Sequence, residues 1–180
     1  MRFSTKVAVL AATTMIMVLV LASAVYGAQA SDPVTVSVTV DNFISISNPG
    51  DVALANIAGA GGSSESNATW QVATNNDLGY KLEVAATGSP AMTKGTDSFD
   101  DYIGAGGWSI PAASSAFGFS VNGTTDYQGF TGATPIEIVN TPNETAGEST
   151  TVYFKAEVDA SHIQTSGSYA ANLTVTATTL

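Results

Sequence analysis

The chain has 180 residues, no cysteine and one histidine, and its formal net charge at pH 7 is −10. Without cysteine it can form neither a disulfide nor a thiolate metal site, and a single histidine argues against a zinc site. The negative charge disfavours binding to nucleic acid and to anionic lipid.

The first 30 residues are typical of a secretory signal peptide. Arg2 and Lys6 supply positive charge, an apolar run follows over 7–25, and Ala28-Gln29-Ala30 matches a small-x-small cleavage site. A permanent membrane anchor is the alternative, but hydroxyl residues interrupt the run and the cleavage site ends it. We therefore predict a secreted protein of the cell surface that meets a membrane only through its signal peptide during export.

The predicted mature chain, residues 31–180, has the size and composition of one β-sandwich domain. Three lysines remain in it against fifteen acidic residues, so its net charge is −12. A chain of about 150 residues buries a core without disulfides. Because β-branched residues are abundant and helix formers are scarce, we expect no long amphipathic helix.

Alternation of apolar and polar residues predicts a series of short strands in the first half of this domain. The predicted strands are 34–40, 43–46, 52–57, 70–72 and 80–86. Residues 75–79 are predicted to form the turn of a hairpin between the last two of these strands. Residues 59–66, which are small and polar, are predicted to form a flexible loop.

The second half contains an irregular region, 88–115, followed by clear alternation. The predicted strands are 106–110, 117–121, 136–138, 152–158 and 169–177, with a hairpin turn at Asn122-Gly123 and a polar loop over 141–149. Strands that alternate with turns in this way predict an antiparallel β-sandwich, Ig-like or jelly-roll-like. A closed barrel fits the uneven spacing less well.

The end of the chain reads GSYAANLTVTAT over 167–178 and resembles the close of several secreted β-sandwich families. Among them are WxL-type cell-surface proteins and spore-coat-U-like subunits of archaic fimbriae. The Tyr-x-x-x-Leu-Thr element at 169–174 is similar to the WxL pattern, although Val175 stands where that family has Trp. Gly107-Trp108-Ser109-Ile110 is similar to a weak form of its other Trp motif. The resemblance covers the final third and the turn at 74–82, and it implies an extracellular surface class.

The alternating valines after the cleavage site predict a structural or adhesive role rather than an enzymatic one. Val34, Val36, Val38 and Val40 would form one apolar face of a flat strand. Such a strand can pair within its own domain, or it can be inserted into the sheet of a neighbouring subunit to build a fibre or surface layer. Pairing within the domain and insertion into a neighbour both remain open. In the case of insertion, the partners would be other copies of the chain or other surface proteins.

Exposed aromatic residues would support a second hypothesis, a module that binds glycan or cell wall. Trp108, Tyr102 and Tyr127 are the candidate contacts, because aromatic rings stack on sugar rings and Trp108 lies in a glycine-rich setting. Trp70 alternates with Val72 and is predicted to lie in the core.

An acidic cluster is the best candidate for a metal site. Asp97, Asp100 and Asp101 could contribute oxygen ligands to Ca²⁺, the one cofactor that the sequence suggests. Their spacing does not match an EF-hand loop, and a solvated polar turn is the favoured alternative.

Little in the chain favours catalysis. His162 lies beside Ser161 in a predicted turn, where neighbours rarely face each other as a nucleophile and its base must. Neither a P-loop nor a dinucleotide fingerprint occurs. A secreted glycoside hydrolase with two carboxylates is the weakest hypothesis, because any chain with fifteen acidic residues offers suggestive pairs.

Four Asn-x-Thr triplets match the acceptor sequence for N-glycosylation. They begin at Asn67, Asn122, Asn143 and Asn172. A chain rich in threonine and asparagine produces such triplets by chance, so the sequence predicts the acceptors but not their use.

Overall fold

The computed structural model describes residues 30–104, 106–123 and 125–180. The predicted signal peptide lies outside the described residues except for Ala30. The chain divides into two units after Val40, and every strand of the described residues belongs to the second unit, 41–180. Within the described ranges, no helix is long and apolar enough to cross a membrane.

The second unit is all-β and has two sheets. Its strands are β1 (Ile44–Ile46), β2 (Gly62–Thr74), β3 (Tyr80–Ala86), β4 (Met92–Lys94), β5 (Asp97–Asp101), β6 (Ser115–Val121), β7 (Ile136–Thr141), β8 (Thr145–Val158), β9 (Ala170–Ala171) and β10 (Leu173–Thr179). Sheet A has the order β1-β2-β8-β6-β5-β4-β9, and sheet B has the order β10-β3-β7. The predicted all-β sandwich class is confirmed.

The long strands β2 and β8 form the centre of sheet A. They pair antiparallel from Gly62 opposite Val158 to Thr74 opposite Thr145, with a register shift between Val72 and Thr74. The β5–β6 pair is parallel, whereas the other strand pairs of the described residues are antiparallel.

The core lies between the two sheets and follows the alternation of the strands. In β8 the inward residues Val152, Phe154, Ala156 and Val158 are at most 5% exposed. Sheet B contributes the alternate residues of β3 on its inner face, which are at most 3% exposed. Because side chains at i and i+2 lie on the same face of a strand, the period-2 sequence pattern places these residues in the core.

Three local predictions, one of a hairpin turn and two of loops, are wrong because strands in this domain pair with partners distant in the sequence. Residues 70–72 and 80–86 lie in different sheets, so the turn at 75–79 connects the sheets and does not close a hairpin. The loop predicted over 59–66 is largely the start of β2, and the loop predicted over 141–149 contains the start of β8. These polar ends pair with partner strands distant in the sequence, and that pairing overrides local composition.

The opposite error occurs in two segments of the second unit that were predicted as strands. Residues 52–57 form no strand, although Val52, Leu54 and Ile57 still pack against the main core. In the segment 106–110, Gly106 forms an isolated bridge with Tyr127, and the described residues 107–110 form no strand. Apolar alternation thus identified the side chains that reach the core but not whether their backbone joins a ladder.

Candidate functional site

The first candidate is the valine segment, residues 34–40. Residues 30–40 contain no strand, so the strand predicted over 34–40 is not formed in this structure. The four valines are 75–88% exposed. Soluble proteins seldom expose contiguous apolar rows, and those that do generally use them for association. The segment therefore has the composition of a strand but pairs with no strand among the described residues.

The three aromatic residues predicted to contact glycan are brought together in one cluster, which we call the aromatic cluster: Tyr102, Trp108 and Tyr127. The rings of Tyr102 and Trp108 are stacked with centroids 4.5 Å apart and planes 11° apart. Tyr127 meets Trp108 edge-on at 4.9 Å. Lys155 of β8 places its ammonium 5.1 Å from the Trp108 ring and 5.7 Å from the Tyr127 ring.

Hydrogen bonds connect the polar atoms of the aromatic cluster to sheet A. Trp108 Nε1 donates a hydrogen bond to Glu157 Oε2 at 2.8 Å, and the Tyr127 hydroxyl donates to Glu65. Burial, together with the hydrogen bond to Glu65, raises the pKa of Tyr127, so this phenol keeps its proton. Since Lys155, Glu157 and Glu65 alternate with core residues along β8 and β2, the cluster covers the outer face of that pair.

The geometry of the aromatic cluster differs from an open stacking platform. Tyr102 is 5% exposed and Tyr127 is 2% exposed, and Trp108 is half-buried. The rings contact one another and Lys155, which leaves little ring surface for a sugar. Glycan contact by these residues stays a prediction, and this packing does not favour it.

The acidic cluster is not gathered into one site. Asp97 forms an ion pair with Lys94 at 3.1 Å, and Asp101 accepts hydrogen bonds from Ser89 Oγ at 2.6 Å and from the Ala91 amide at 2.8 Å. Asp100 is exposed. Within the ranges that the structure describes, no group of three or more potential metal-ligating side chains is close enough to hold an ion. The Ca²⁺ prediction gains no geometric support.

A small cleft lies beside the aromatic cluster. Its volume is 190 Å³, and Asp100, Asp101, Tyr102 and Ile103 line it together with residues of 109–116. Ligand pockets of proteins usually measure about 300–1,000 Å³. The cleft is therefore small for a glycoside hydrolase, which must enclose sugar units between two carboxylates.

His162 takes part in a structural network instead of facing Ser161. Its Nε2 lies 3.1 Å from Gln164 Oε1, which also accepts from Ser115 Oγ at 2.8 Å. Ser161 donates to the Asp159 carboxylate. This arrangement ties the 159–168 loop to β6 and offers no nucleophile–base pair.

The four sequon asparagines are all exposed. Asn67 lies on the outer side of β2, and Asn172 lies between β9 and β10. Asn143 lies between β7 and β8, and Asn122 follows β6 and accepts a hydrogen bond from the Thr151 amide at 2.9 Å.

Sequence reasoning missed the polar residues that fix the loops onto the sheet. Lys155 and Glu157 are outward residues of β8, and the alternation assigned them only to solvent. Glu65 is an outward residue of β2 but fell in the loop predicted over 59–66. The Asp159-x-Ser161 spacing was the one local signal available, since an aspartate that binds an amide two residues on is typical of a turn.

No protein-family model and no curated protein sequence matches this chain.

Proposed function

We propose that this protein is a non-enzymatic structural subunit of an extracellular fibre or surface layer, assembled when one subunit's 34–40 segment pairs with the sheet of another. The observation that carries the proposal is the valine row itself: four alternating valines, 75–88% exposed, in a segment without a strand. Strand addition to a sheet edge would satisfy the backbone of the segment and bury its apolar face together.

Physical chemistry supports the segment as a donor. Burying one valine side chain contributes about 1.5–3 kcal/mol, so four valines supply a substantial driving force. The segment contains no charged residue and no proline. It therefore loses no charge solvation on burial, and each of its residues can donate a backbone hydrogen bond.

Composition supports a site of action outside the cell. A signal peptide would deliver the chain across the membrane, and cleavage after Ala30 would leave the valine segment near the new amino terminus. The absence of cysteine means that assembly requires no oxidising step. The partners are then other copies of the chain or other surface proteins, without a cofactor.

The test compares two double variants of the chain that begins at Ser31. Val36→Asp with Val38→Asp places charge on the apolar face, and we expect it to abolish filaments or sheets in negative-stain electron microscopy. Thr35→Asp with Ser37→Asp adds the same charge to the opposite face and is expected to retain assembly. Equal assembly by the two variants would refute donation of the segment.

The same experiment distinguishes the fibre proposal from the alternative function. If the unsubstituted chain stays monomeric by light scattering, with and without Ca²⁺, the fibre proposal fails. A cell-wall or glycan-binding module would then be the better hypothesis, to be tested by pull-down on purified wall material with Trp108→Ala as the matched variant.

A further inference from the structure

The first part of β2 has a paired strand on only one side. The β2 strand pairs with β8 along its length, whereas β1 pairs only with residues 72–74 of β2. Ser47, just after β1, adds one hydrogen bond from its amide to the Gln71 carbonyl at 2.9 Å. Between Gly62 and Trp70, no described residue forms a backbone hydrogen bond with the side of β2 that faces away from β8.

Backbone groups of β2 point toward this unpaired side. Gln71 bonds Ser47 here, and bonded positions recur at every second residue of an antiparallel strand. The N–H and C=O groups of residues 63, 65, 67 and 69 therefore point the same way as those of Gln71. We call residues 63–70 the β2 edge. Edges with unpaired backbone groups can template pairing with another chain.

A segment without secondary structure runs beside the β2 edge. Residues 48–58, which we call the strap, begin after Ser47 and reach Gly62 at their other end. An added Cβ at Gly62 would lie 3.3 Å from the Ile57 side chain. Three apolar strap residues are half-buried and pack against the main core: Val52, Leu54 and Ile57. The strap thus covers the core with side chains but forms no backbone hydrogen bond with the β2 edge.

The start of the strap explains why it forms no strand. Pro49 has no amide hydrogen to donate, and Gly50 has a φ of +84°. The Gly50 amide donates a hydrogen bond to Asn48 Oδ1 at 3.0 Å, which is typical of a turn. This turn directly follows Ser47, the residue at which pairing with β2 stops. Side-chain packing without a ladder then holds the strap at the core.

We propose that the strap is displaceable, and that the valine segment of a second copy of this chain pairs with the β2 edge in its place. This inference rests on the proposed function and names the surface that receives the donated strand. The four valines would take over the core contacts of the apolar strap residues. The donor backbone would supply the hydrogen bonds that the strap does not form. The exchange is favourable because it adds a ladder and keeps apolar side chains at the core.

Side chains of the donor and of the β2 edge complement each other. When residues 34–40 align with residues 64–70, the valines lie beside the inward row of β2, three members of which are small: Ser64, Ser66 and Ala68. Small neighbours leave room for branched side chains in cross-strand pairs. The hydroxyl residues between the valines would lie on the outer face. Glu65, the one charged residue within 64–70, already accepts a hydrogen bond from Tyr127.

The first test uses the natural absence of cysteine. Ser37 and Asn67 are the central residues of 34–40 and 64–70, so they face each other in either strand direction. A Ser37→Cys variant is mixed with an Asn67→Cys variant, both on the chain from Ser31, and oxidised mildly with diamide. Adjacent strands place opposite Cα atoms about 4.5–5.5 Å apart, within the range that a disulfide spans. We expect roughly tenfold more mixed disulfide dimer than from Ser37→Cys mixed with Thr176→Cys, an exposed outward position on β10.

A second pair of variants tests displacement of the strap. Leu54→Ser removes an apolar contact that holds the strap, whereas Ala53→Ser changes its exposed neighbour. If donor and strap compete for one site, Leu54→Ser should shorten the lag of filament formation about tenfold, and Ala53→Ser should leave it unchanged. Circular dichroism checks that both variants fold. An unchanged or longer lag for folded Leu54→Ser would refute displacement.

The remaining outcomes distinguish this inference from the proposed function. If filaments form without a link to position 67, the acceptor is wrong and the proposed function stands. If a chain that carries both Ser37→Cys and Asn67→Cys yields only internally linked monomer, the valine segment pairs with its own domain and both proposals fail. If no filaments form and no link appears, the proposed function itself fails.

Discussion

The indole ring of Trp108 stacks on the phenol ring of Tyr102 with centroids 4.5 Å apart and planes 11° apart. This contact holds the 102–110 loop against the outer face of sheet A, where the indole N–H reaches Glu157 of β8. The aromatic cluster therefore covers that sheet face. The valine segment lies elsewhere in the sequence, so loop stability and assembly can be tested separately.

Removing the indole ring should weaken the fold more than removing its hydrogen bond. We expect Trp108→Ala to lower the free energy of unfolding by about 2–4 kcal/mol, because the stack is lost and Tyr102 and Tyr127 are uncovered. Trp108→Phe keeps a ring but not the donor to Glu157, and should cost about 1 kcal/mol. Urea unfolding followed by circular dichroism measures both. Equal losses in the two variants would contradict the packing role of the ring.

Adding a methyl group at Gly129 should disrupt the same loop, because Gly129 lies against the backbone of Tyr102. An added Cβ at this position would lie 2.0 Å from the Tyr102 carbonyl oxygen, and the backbone cannot yield easily. We expect Gly129→Ala to cost about 3 kcal/mol, as overpacking does. Gly107→Ala is the control, since a Cβ there meets nothing within 4 Å, and it should change stability by about 0.5 kcal/mol or less. Thermal unfolding of the two variants side by side would show the difference.

Asp159 should make stability depend on pH in the acid range. Hydrogen bonds from Ser161 and from the Ala113 amide lower the pKa of this exposed carboxyl from its ordinary 3.8 to about 2. Because the folded pKa is the lower one, the stabilisation is complete above the ordinary value and is lost as pH falls through about 2. The stability difference between the native chain and Asp159→Asn should therefore shrink between pH 4 and pH 2. A constant difference over that range, measured by urea unfolding, would contradict the assignment.

Salt should promote assembly. Subunits with a net charge of −12 after signal cleavage repel one another, whereas the 34–40 segment is neutral. Raising ionic strength from about 0.01 M to about 0.15 M shortens the Debye length from about 30 Å to about 8 Å. We expect a shorter lag and more scattered light for the chain from Ser31, and no such response in the Val36→Asp, Val38→Asp variant. Slower assembly at the higher salt would indicate attraction between charged surfaces instead.

Much of the fold follows from alternation along single strands. The inward residues of β3 and β8 were predicted from period-2 patterns, and the structure buries them. Alternation also predicted the extended end of the chain, which forms β9 and β10. These predictions succeed because one buried face fixes which alternate residues must be apolar.

The failures concern relations between distant segments. Nothing local to the turn at 75–79 indicates that it crosses from sheet A to sheet B, and nothing in residues 62–66 indicates a partner at 154–158. The structure brings the three candidate aromatics together, but it buries Tyr102 and Tyr127, and glycan contact stays a prediction. Their burial against Lys155 could not be predicted, because it depends on how the 102–110 loop folds over a strand far along the chain.

The central claim, that residues 34–40 of one subunit drive assembly with the next, is tested most directly by deleting them. The chain from Ser31 and the chain from Asp41, which retains every strand of the described structure, are purified and examined by negative-stain electron microscopy at equal concentration. We predict regular filaments or sheets from the first and folded monomers from the second. Filaments from both chains would show that assembly does not use the valine segment, and would contradict the claim.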